Sequence, residues 1–350
     1  MENAMDKHGW KLDRKQIDAW LESLMRDGRE VCAPLPKDGV TMMNRVHNAS
    51  DVTLAEGKTQ FSPKEYVFPR TETLFSYRKN GDGVTLSDPQ PGTEQRVLFG
   101  VRPCDAAGLV RLDNVLAKDP MYADRRARTT VVTLGCDHPG PECFCTAVDG
   151  APHGTEGSDI EMVPAPDGVL IRPVSERGRD LLAAMSSQWK PASDADWKDA
   201  DARGIAAAEA MRRDTVPHET AGALEGSFEN PAWNDIGQRC LSCSICAYVC
   251  PSCSCFDVQD EGSASCGDRC RSWDACSFRQ FTSHASGHNP RGDQGARYRQ
   301  RLLHKFAYYP AQMAGQWMCV GCGRCAKMCP VGIDIHEAVG AVLASRPKTA

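Results

Sequence analysis

Two stretches of the chain have the residue types and spacing for metal chemistry. Cys240-Leu-Ser-Cys243-Ser-Ile-Cys246-Ala-Tyr-Val-Cys250-Pro251 is repeated in pattern as Cys319-Val-Gly-Cys322-Gly-Arg-Cys325-Ala-Lys-Met-Cys329-Pro330. Each is C-x2-C-x2-C-x3-C-P, the run that holds a cubane [4Fe-4S] cluster. Where two such runs occur, the fourth cysteine of each ligates the other cluster. The expected sets are therefore Cys240, Cys243, Cys246 and Cys329 for cluster 1, and Cys319, Cys322, Cys325 and Cys250 for cluster 2. A zinc site needs only paired C-x2-C units. Disulfides give no reason for the same four-cysteine spacing to appear twice.

Four more cysteines precede the runs. Cys104 follows the apolar stretch Arg96-Val-Leu-Phe-Gly-Val101, and Cys136 follows Thr129-Thr-Val-Val-Thr-Leu134. Cys143-Phe-Cys145 comes a few residues later. Four thiols are what a cubane needs, so Cys104, Cys136, Cys143 and Cys145 are candidate ligands of a third [4Fe-4S] cluster. Asp137 or His138 could replace one of them. The bland reading is packing, a common fate of buried cysteine. Packing gives no reason for two thiols on one short loop. Cys253, Cys255 and Cys276 are read as residues around a cluster, with extra ligation or thiol redox chemistry as alternatives. Cys266 and Cys270 read as incidental, although C-x3-C can bind metal, and Cys32 as an ordinary core or surface thiol. Eight basic residues lie in 269–305: Arg269, Arg271, Arg279, Arg291, Arg297, Arg299, Arg301 and Lys305. Most are expected on solvated helix faces. Some are candidates to raise a cluster's potential or to meet an acidic partner. His284, His288 and His304 read as hydrogen-bonded core residues.

The elements that must position these groups fall into two domains. Residues 13–27 have a helical stripe of Ile17, Trp20, Leu21 and Leu24 after Asp13 as N-cap. A helix or turn is expected over Thr71–Tyr77, and a hairpin around Asn80-Gly-Asp-Gly83. The two apolar stretches before Cys104 and Cys136 read as buried parallel strands of a βαβ unit, with Asp105 capping the helix between them. Sites in such folds collect at the carboxyl ends of strands. A strand over 169–171 and helices over 175–189 and 200–213 complete an α/β domain spanning 1–214. Residues 215–227 read as a linker. Residues 228–350 read as a helical dicluster ferredoxin domain, because 79 residues separate Cys240 from Cys319. Helices are expected over 273–285, 296–309 and from about 334. The fold class is α+β overall, an α/β domain followed by the helical one.

Composition sets further bounds. The net charge of −5 gives no reason to expect a nucleic-acid partner. Thirteen of the 18 cysteines fall between residues 240 and 329, a placement that in a cytosolic chain points to metal. Residues 1–20 are charged and lack the apolar core of a signal peptide. No apolar run approaches the ~20 residues that span a bilayer. A cytoplasmic protein with no direct membrane insertion is expected. No G-x-G-x-x-G follows a strand, no Walker A run is present, and no nucleophile elbow occurs.

The strings Phe99-Gly-Val-Arg-Pro-Cys104-Asp105, Gly135-Cys-Asp-His-Pro-Gly-Pro-Glu-Cys143-Phe-Cys145 and Cys250-Pro-Ser-Cys253-Ser-Cys255-Phe-Asp accompany the two runs. So do Trp273-Asp-Ala-Cys276 and Gly287-His-Asn-Pro-Arg291. Together these resemble the family of dicluster iron–sulfur subunits found in anaerobic sulfite reductase and, as the beta subunit, in sulfhydrogenase. The resemblance covers nearly the whole chain. It implies an electron conduit beside a FAD- and NAD(P)-binding subunit, with a terminal redox subunit of sulfite reductase, nickel–iron hydrogenase or heterodisulfide-reductase type. The expected function is single-electron transfer between clusters, with no catalytic residue in this chain. The rival reading is a stand-alone redox enzyme with its substrate site in the first domain, at Cys104 or Cys136.

Overall fold

The computed structural model describes residues 9–346 apart from 56, 91 and 212. The charged start of the chain, expected to be no signal peptide, lies outside the described residues for positions 1–8. Two compact units make up the rest. The first holds the residues through Pro63, Glu94–Val216 and Cys319–Gly323; the second holds Lys64–Thr93, Pro217–Met318 and Arg324 onward. Within the stretch 215–227, read as a linker, the structure has helix Thr220–Glu225. Residues 64–93 go with the second unit and residues 319–323 with the first.

The first unit is built on a sheet of eight strands among the described residues. Their order is Lys190–Pro191, Trp10–Leu12, Gly168–Pro173, Ile160–Ala165, Thr129–Leu134, Arg96–Val101, Glu30–Lys37 and Val40–Arg45. The four strands from Ile160–Ala165 to Glu30–Lys37 run parallel. Val97, Leu98, Phe99, Val131 and Val132 are fully buried, as a strand covered on both faces requires. Helix Pro103–Leu116 and the shorter Pro120–Ala127 cross between two parallel neighbours. Asp105 does not cap this crossover. Pro103 occupies the first helical position, where its fixed φ suits a helix start, so Arg102 is the N-cap and Asp105 lies buried in the first turn. Helix Arg14–Arg26 opens with the expected Asp13, joined by Gln16 in a capping box. Its Trp20 meets Phe99 at 5.5 Å and Trp189 at 5.8 Å between ring centroids. Truncating Trp20 to alanine would remove roughly 3–5 kcal/mol.

The second unit departs from an all-helical reading. It carries a four-stranded antiparallel sheet in the order Phe256–Gly262, Cys266–Trp273, Thr71–Asn80 and Gly83–Ser87. Thr71–Asn80 is therefore a strand and not a helix or turn. Its Thr, Phe and Tyr residues favour a pleated, half-buried surface, and it pairs on both sides. The Asn80–Gly83 hairpin is present, with Gly81 at φ 60° in the left-handed region its turn requires. No helix begins at Trp273, because that residue ends a strand paired to Phe256. Turns and a short 3-10 segment, Gln280–Thr282, follow it. Helices Thr220–Glu225, Ala232–Arg239, Gln294–Leu303 and Ile335–Ala344 supply the rest. Gln294–Leu303 continues through a π-helical turn, His304–Tyr308. Among the described residues no helix is long and apolar enough to cross a membrane.

Candidate metal centres

In the first unit the strand ends do converge. Cys104 opens the helix after Arg96–Val101, and Cys136 follows Thr129–Leu134 on the neighbouring parallel strand. The Cys143–Cys145 loop folds over them, and all four cysteines line one cavity of about 350 Å³. Among the described residues no three His, Cys, Asp or Glu side chains close on a single-ion position. Thiols spread round a cavity fit a bulky centre better than one ion.

Residues 319–323 belong to this site. Phe144 N–H donates to Gly321 O at 2.8 Å, and Gly321 and Cys322 line the cavity. Gly321 sits at φ 62°, and a Cβ there would lie 2.5 Å from the Cys145 and Phe144 backbone. Only glycine allows this approach.

The electrostatics oppose free thiolates. Burial pushes the Cys145 thiol up to about 12, with Cys143 and Cys136 adding to the rise. Burial likewise raises Cys136, against the Arg102 charge. Lys58 is the counter-cation: its Nζ lies 2.7 Å from Cys143 Sγ. Burial alone would lower its pKa, but the thiolates of Cys143, Cys104 and Cys322 raise it. Arg102 is held by Gly57 O and Gly135 O, both at 2.7 Å, and lines the same cavity. Asp137 is not placed as a substitute ligand. His153 Nε2 binds its Oδ1 at 2.6 Å and Arg203 Nε its Oδ2 at 3.0 Å. Neither Asp137 nor His138 lines the cavity.

In the second unit, Cys240, Cys243, Cys246 and Cys329 line one cavity of about 450 Å³, together with Cys325, Tyr298 and Arg301. The run wraps tightly here. Ser242 and Ser244 take left-handed φ values of 56° and 61° between the cysteines. Gln294 Nε2 donates to Cys240 Sγ at 3.1 Å, and Ile333 N–H to Cys329 Sγ at 3.3 Å. Donors of this kind stabilise anionic sulfur. Cys250 does not line this cavity. It is buried beside Cys253 and Ser252. The hydrogen bond from Cys253, against burial and with help from Lys305 and Arg301, holds its thiol well below the ordinary value. Cys319 and Cys322 lie in the first unit, while Cys250 and Cys325 lie in the second and both face Arg301. Neither unit by itself holds that expected set.

Of the eight basic residues, Arg301 reaches a sulfur and Lys305 a serine next to the cysteines. Arg301 donates to Cys253 Sγ at 3.6 Å and to Cys246 O at 3.0 Å. Burial works against its charge, and Cys246, Cys253, Cys325 and Cys250 outweigh it. Lys305 Nζ donates to Ser252 Oγ at 3.1 Å. Three others hold structure: Arg269 pairs with Asp260 at 2.6 Å, Arg271 bonds Glu72, and Arg299 bonds Phe228 O at 2.8 Å. Lys64 gave no sign of itself in the sequence. It is buried, bonded to Ala247 O at 3.1 Å and Cys253 O at 2.9 Å, and sits 4.1 Å from the centre of the Trp273 ring. Its Ser-Pro-Lys-Glu context carries no metal-site signal, and the same holds for Lys58 and Gln294. Cys270 is buried near Thr73, Cys266 is exposed beside Ser263, and Cys32 is buried in strand Glu30–Lys37.

Comparison with known proteins agrees with this chemistry. Residues 239–333 match the family model of a 4Fe-4S dicluster domain. The sulfhydrogenase 2 beta subunit of Pyrococcus furiosus is 30% identical over 328 residues, which cover 93% of this chain and 95% of the relative. A likeness of that length takes in both units, and the chain belongs to the family of dicluster iron–sulfur subunits that includes this beta subunit.

Proposed function

We propose that the chain is the electron-transfer subunit of a cytoplasmic oxidoreductase complex, carrying single electrons between a FAD- and NAD(P)-binding partner subunit at one end and a terminal redox subunit at the other. The relative is by name a subunit of a sulfhydrogenase, which supports a hydrogenase- or sulfur-reducing-type complex. Cys240, Cys243, Cys246 and Cys329 hold one [4Fe-4S] cluster. Cys319, Cys322, Cys325 and Cys250 hold the second, and Cys104, Cys136, Cys143 and Cys145 a third. When bound, such clusters supply one-electron oxidation and reduction. The chain's own residues exclude water from them, neutralise their charge and set their potentials. The observation that carries this reading is the company of Cys329: it lines the cavity of Cys240, Cys243 and Cys246, and Cys250 does not. That company supports the exchange of fourth ligands expected of a two-cluster protein.

The test is made on the anaerobically purified chain and on the complex it co-purifies with. The chain alone should show iron–sulfur absorption and be reduced by dithionite, but not by NAD(P)H. In the complex, NAD(P)H should reduce it. A stoichiometric flavin retained by the isolated chain would overturn the assignment of nucleotide chemistry to a partner.

A further inference from the structure

Among the described residues the two sheets have four outer edges, and three of them are blunted. Lys190–Pro191 is two residues long and ends in proline. Val40–Arg45 is met by Gln60, whose N–H donates to Thr41 O at 2.8 Å. Phe256–Gly262 carries Asp257, Asp260 and Glu261. Shortness, proline, cover and charge are the ways in which a sheet keeps an edge from pairing. The fourth edge, Gly83-Val-Thr-Leu-Ser87, has none of them, and at five residues it is of ordinary length. From that difference we propose that Gly83–Ser87 is a docking strand: an extended segment of a partner subunit, apolar at alternate positions and basic at its ends, joins it as a fifth strand of the second unit's sheet. The proposal rests on the reading of this chain as one subunit of a complex.

The backbone is set to receive such a segment. The hairpin turns at Gly81 and Asp82, and a turn of this kind closes on a hydrogen bond between its first and fourth residues, Asn80 and Gly83. Hydrogen-bonded and open pairs then alternate along the ladder. Lys79 and Val84 form an open pair, and Lys79 N–H donates the other way, to Ser265 O at 2.7 Å. Tyr77 and Leu86, two rungs on, form an open pair as well. The N–H and C=O groups of Val84 and Leu86 therefore point away from the sheet, in register for another strand. Among the described residues no strand lies beyond them.

Side chains define the occupant. Val84 and Leu86 are 63% and 61% exposed and share a face with Tyr77, which stands opposite Leu86. An incoming strand covers them with apolar residues two positions apart, because side chains alternate between faces. Exposed Asp82 and Asp88 bracket the strand, so a matching segment carries Lys or Arg at its ends. Lys79 and Arg78 lie one strand further in, opposite Val84 and Thr85. A second copy of the chain fits worse. In the register that sets Val84 against Leu86 of the copy, Asp82 meets its Asp88, and like charges directly opposite destabilise a pair. In strand addition the main-chain bonds give affinity and the alternating side chains give specificity.

The experiment compares the full chain with the complex it co-purifies with, clusters in place. Hydrogen exchange over residues 82–88, read by mass spectrometry, should be fast in the chain alone and slow in the complex. Leu86→Pro removes one outward N–H and keeps the inner ladder, since proline is tolerated where an edge N–H faces solvent. Its affinity for the co-purified partner should fall by about tenfold, with iron content unchanged. Asp82→Asn with Asp88→Asn should flatten the dependence of that affinity on salt. Equal exchange in the two states would overturn the proposal, as would wild-type affinity in Leu86→Pro. Exchange that slows as the isolated chain is concentrated would give the edge to a second copy and overturn it too. A complex that NAD(P)H reduces while residues 82–88 stay unprotected would strike this proposal and leave electron transfer standing. A chain that co-purifies with no other subunit would strike the electron-transfer reading first, and the docking strand with it. The exchange comparison needs only wild-type protein, so a variant that fails to fold leaves the answer intact.

Discussion

The two cysteine cavities meet the same requirement by opposite means. In the second unit, three of the four candidate ligands come from one seven-residue stretch, Cys240–Cys246. Tight left-handed turns at Ser242 and Ser244 wrap that stretch. In the first unit the ligands come from two strand ends and a loop, and only the parallel register of Arg96–Val101 with Thr129–Leu134 brings them together. Both sites bury thiols, which raises Cys145 in one and Cys246 in the other. Both answer with a cation, Lys58 in the first and Arg301 in the second. A site built from local spacing can be transplanted with its segment, whereas one built from tertiary convergence stands or falls with its sheet.

Ligand removal should give the largest effects and separate the two sites. Cys329→Ser should cost about four of about twelve irons per chain, one cubane's worth, and the loss should fall on the cluster of Cys240, Cys243 and Cys246. Cys250→Ser should remove the other ferredoxin-type cluster. Iron analysis with electron paramagnetic resonance of each reduced variant reads this out. A Cys250→Ser chain whose loss falls on the Cys240–Cys246 cluster would end the exchanged ligation. The double change Cys143→Ser with Cys145→Ser should also cost about four irons, leaving the signals of the two ferredoxin-type clusters unchanged. An unaltered iron count there would reduce the first-unit cavity to a packing feature.

Legibility in the sequence follows the same division. The C-x2-C-x2-C-x3-C-P runs state their chemistry locally, so Cys240 to Cys329 could be read directly. Cys104 and Cys136 were readable only through the strands before them, whose apolar residues are those of a sheet buried on both faces. The companions of the sulfurs were not readable at all. Lys58, Lys64 and Gln294 reach thiols or their backbone across long sequence separations, and single polar residues carry no periodic signal. The second unit's sheet was missed for a related reason. Strand Cys266–Trp273 has few apolar residues, and Thr71–Asn80 joins it from about 190 positions away in the chain (Arg78 pairs with Cys266). Pairing across that distance leaves no local trace.

A pH effect sharpens the contrast in charge around the sites. His304 is held down to about 4, by burial first and then by Lys305, Arg291 and Arg301, with Cys250 opposing. Its folded pKa lies below the unfolded value of about 6.5. The unfolded chain therefore takes the proton first as pH falls. Stability from this group is full above about pH 6.5 and declines progressively down to about 4. The loss should reach about 2 kcal/mol at pH 5. His304→Gln should narrow its stability difference from wild type by that amount between pH 7 and pH 5, read from urea midpoints of cluster-loaded chains. Comparing the two chains at each pH cancels the acid sensitivity they share. Equal pH slopes would show that the cation crowd does not hold His304 neutral.

The smallest expected effect discriminates best between the two cavities, because it acts on potential without removing a ligand. A cation beside an anionic centre favours the more negative, reduced state and so raises its potential. At ~4 Å and an effective dielectric near 20, a unit charge is worth up to about 4 kcal/mol. Water and counter-ions entering the vacated space should leave about a third of that, ~59 mV for one electron. Lys58→Met should therefore lower the potential of the first-unit centre by tens of millivolts and leave the cluster of Cys240, Cys243, Cys246 and Cys329 in place. Arg301→Met should do the converse. Lys58→Arg, which keeps the charge, should recover most of the shift, and a purely structural role for Lys58 would not predict that recovery. Potentiometry followed by electron paramagnetic resonance assigns each shift to its cluster. If Lys58→Met moved the potential of the Cys240–Cys246 cluster instead, the contact between Lys58 and Cys143 could not be what sets the first centre's charge balance.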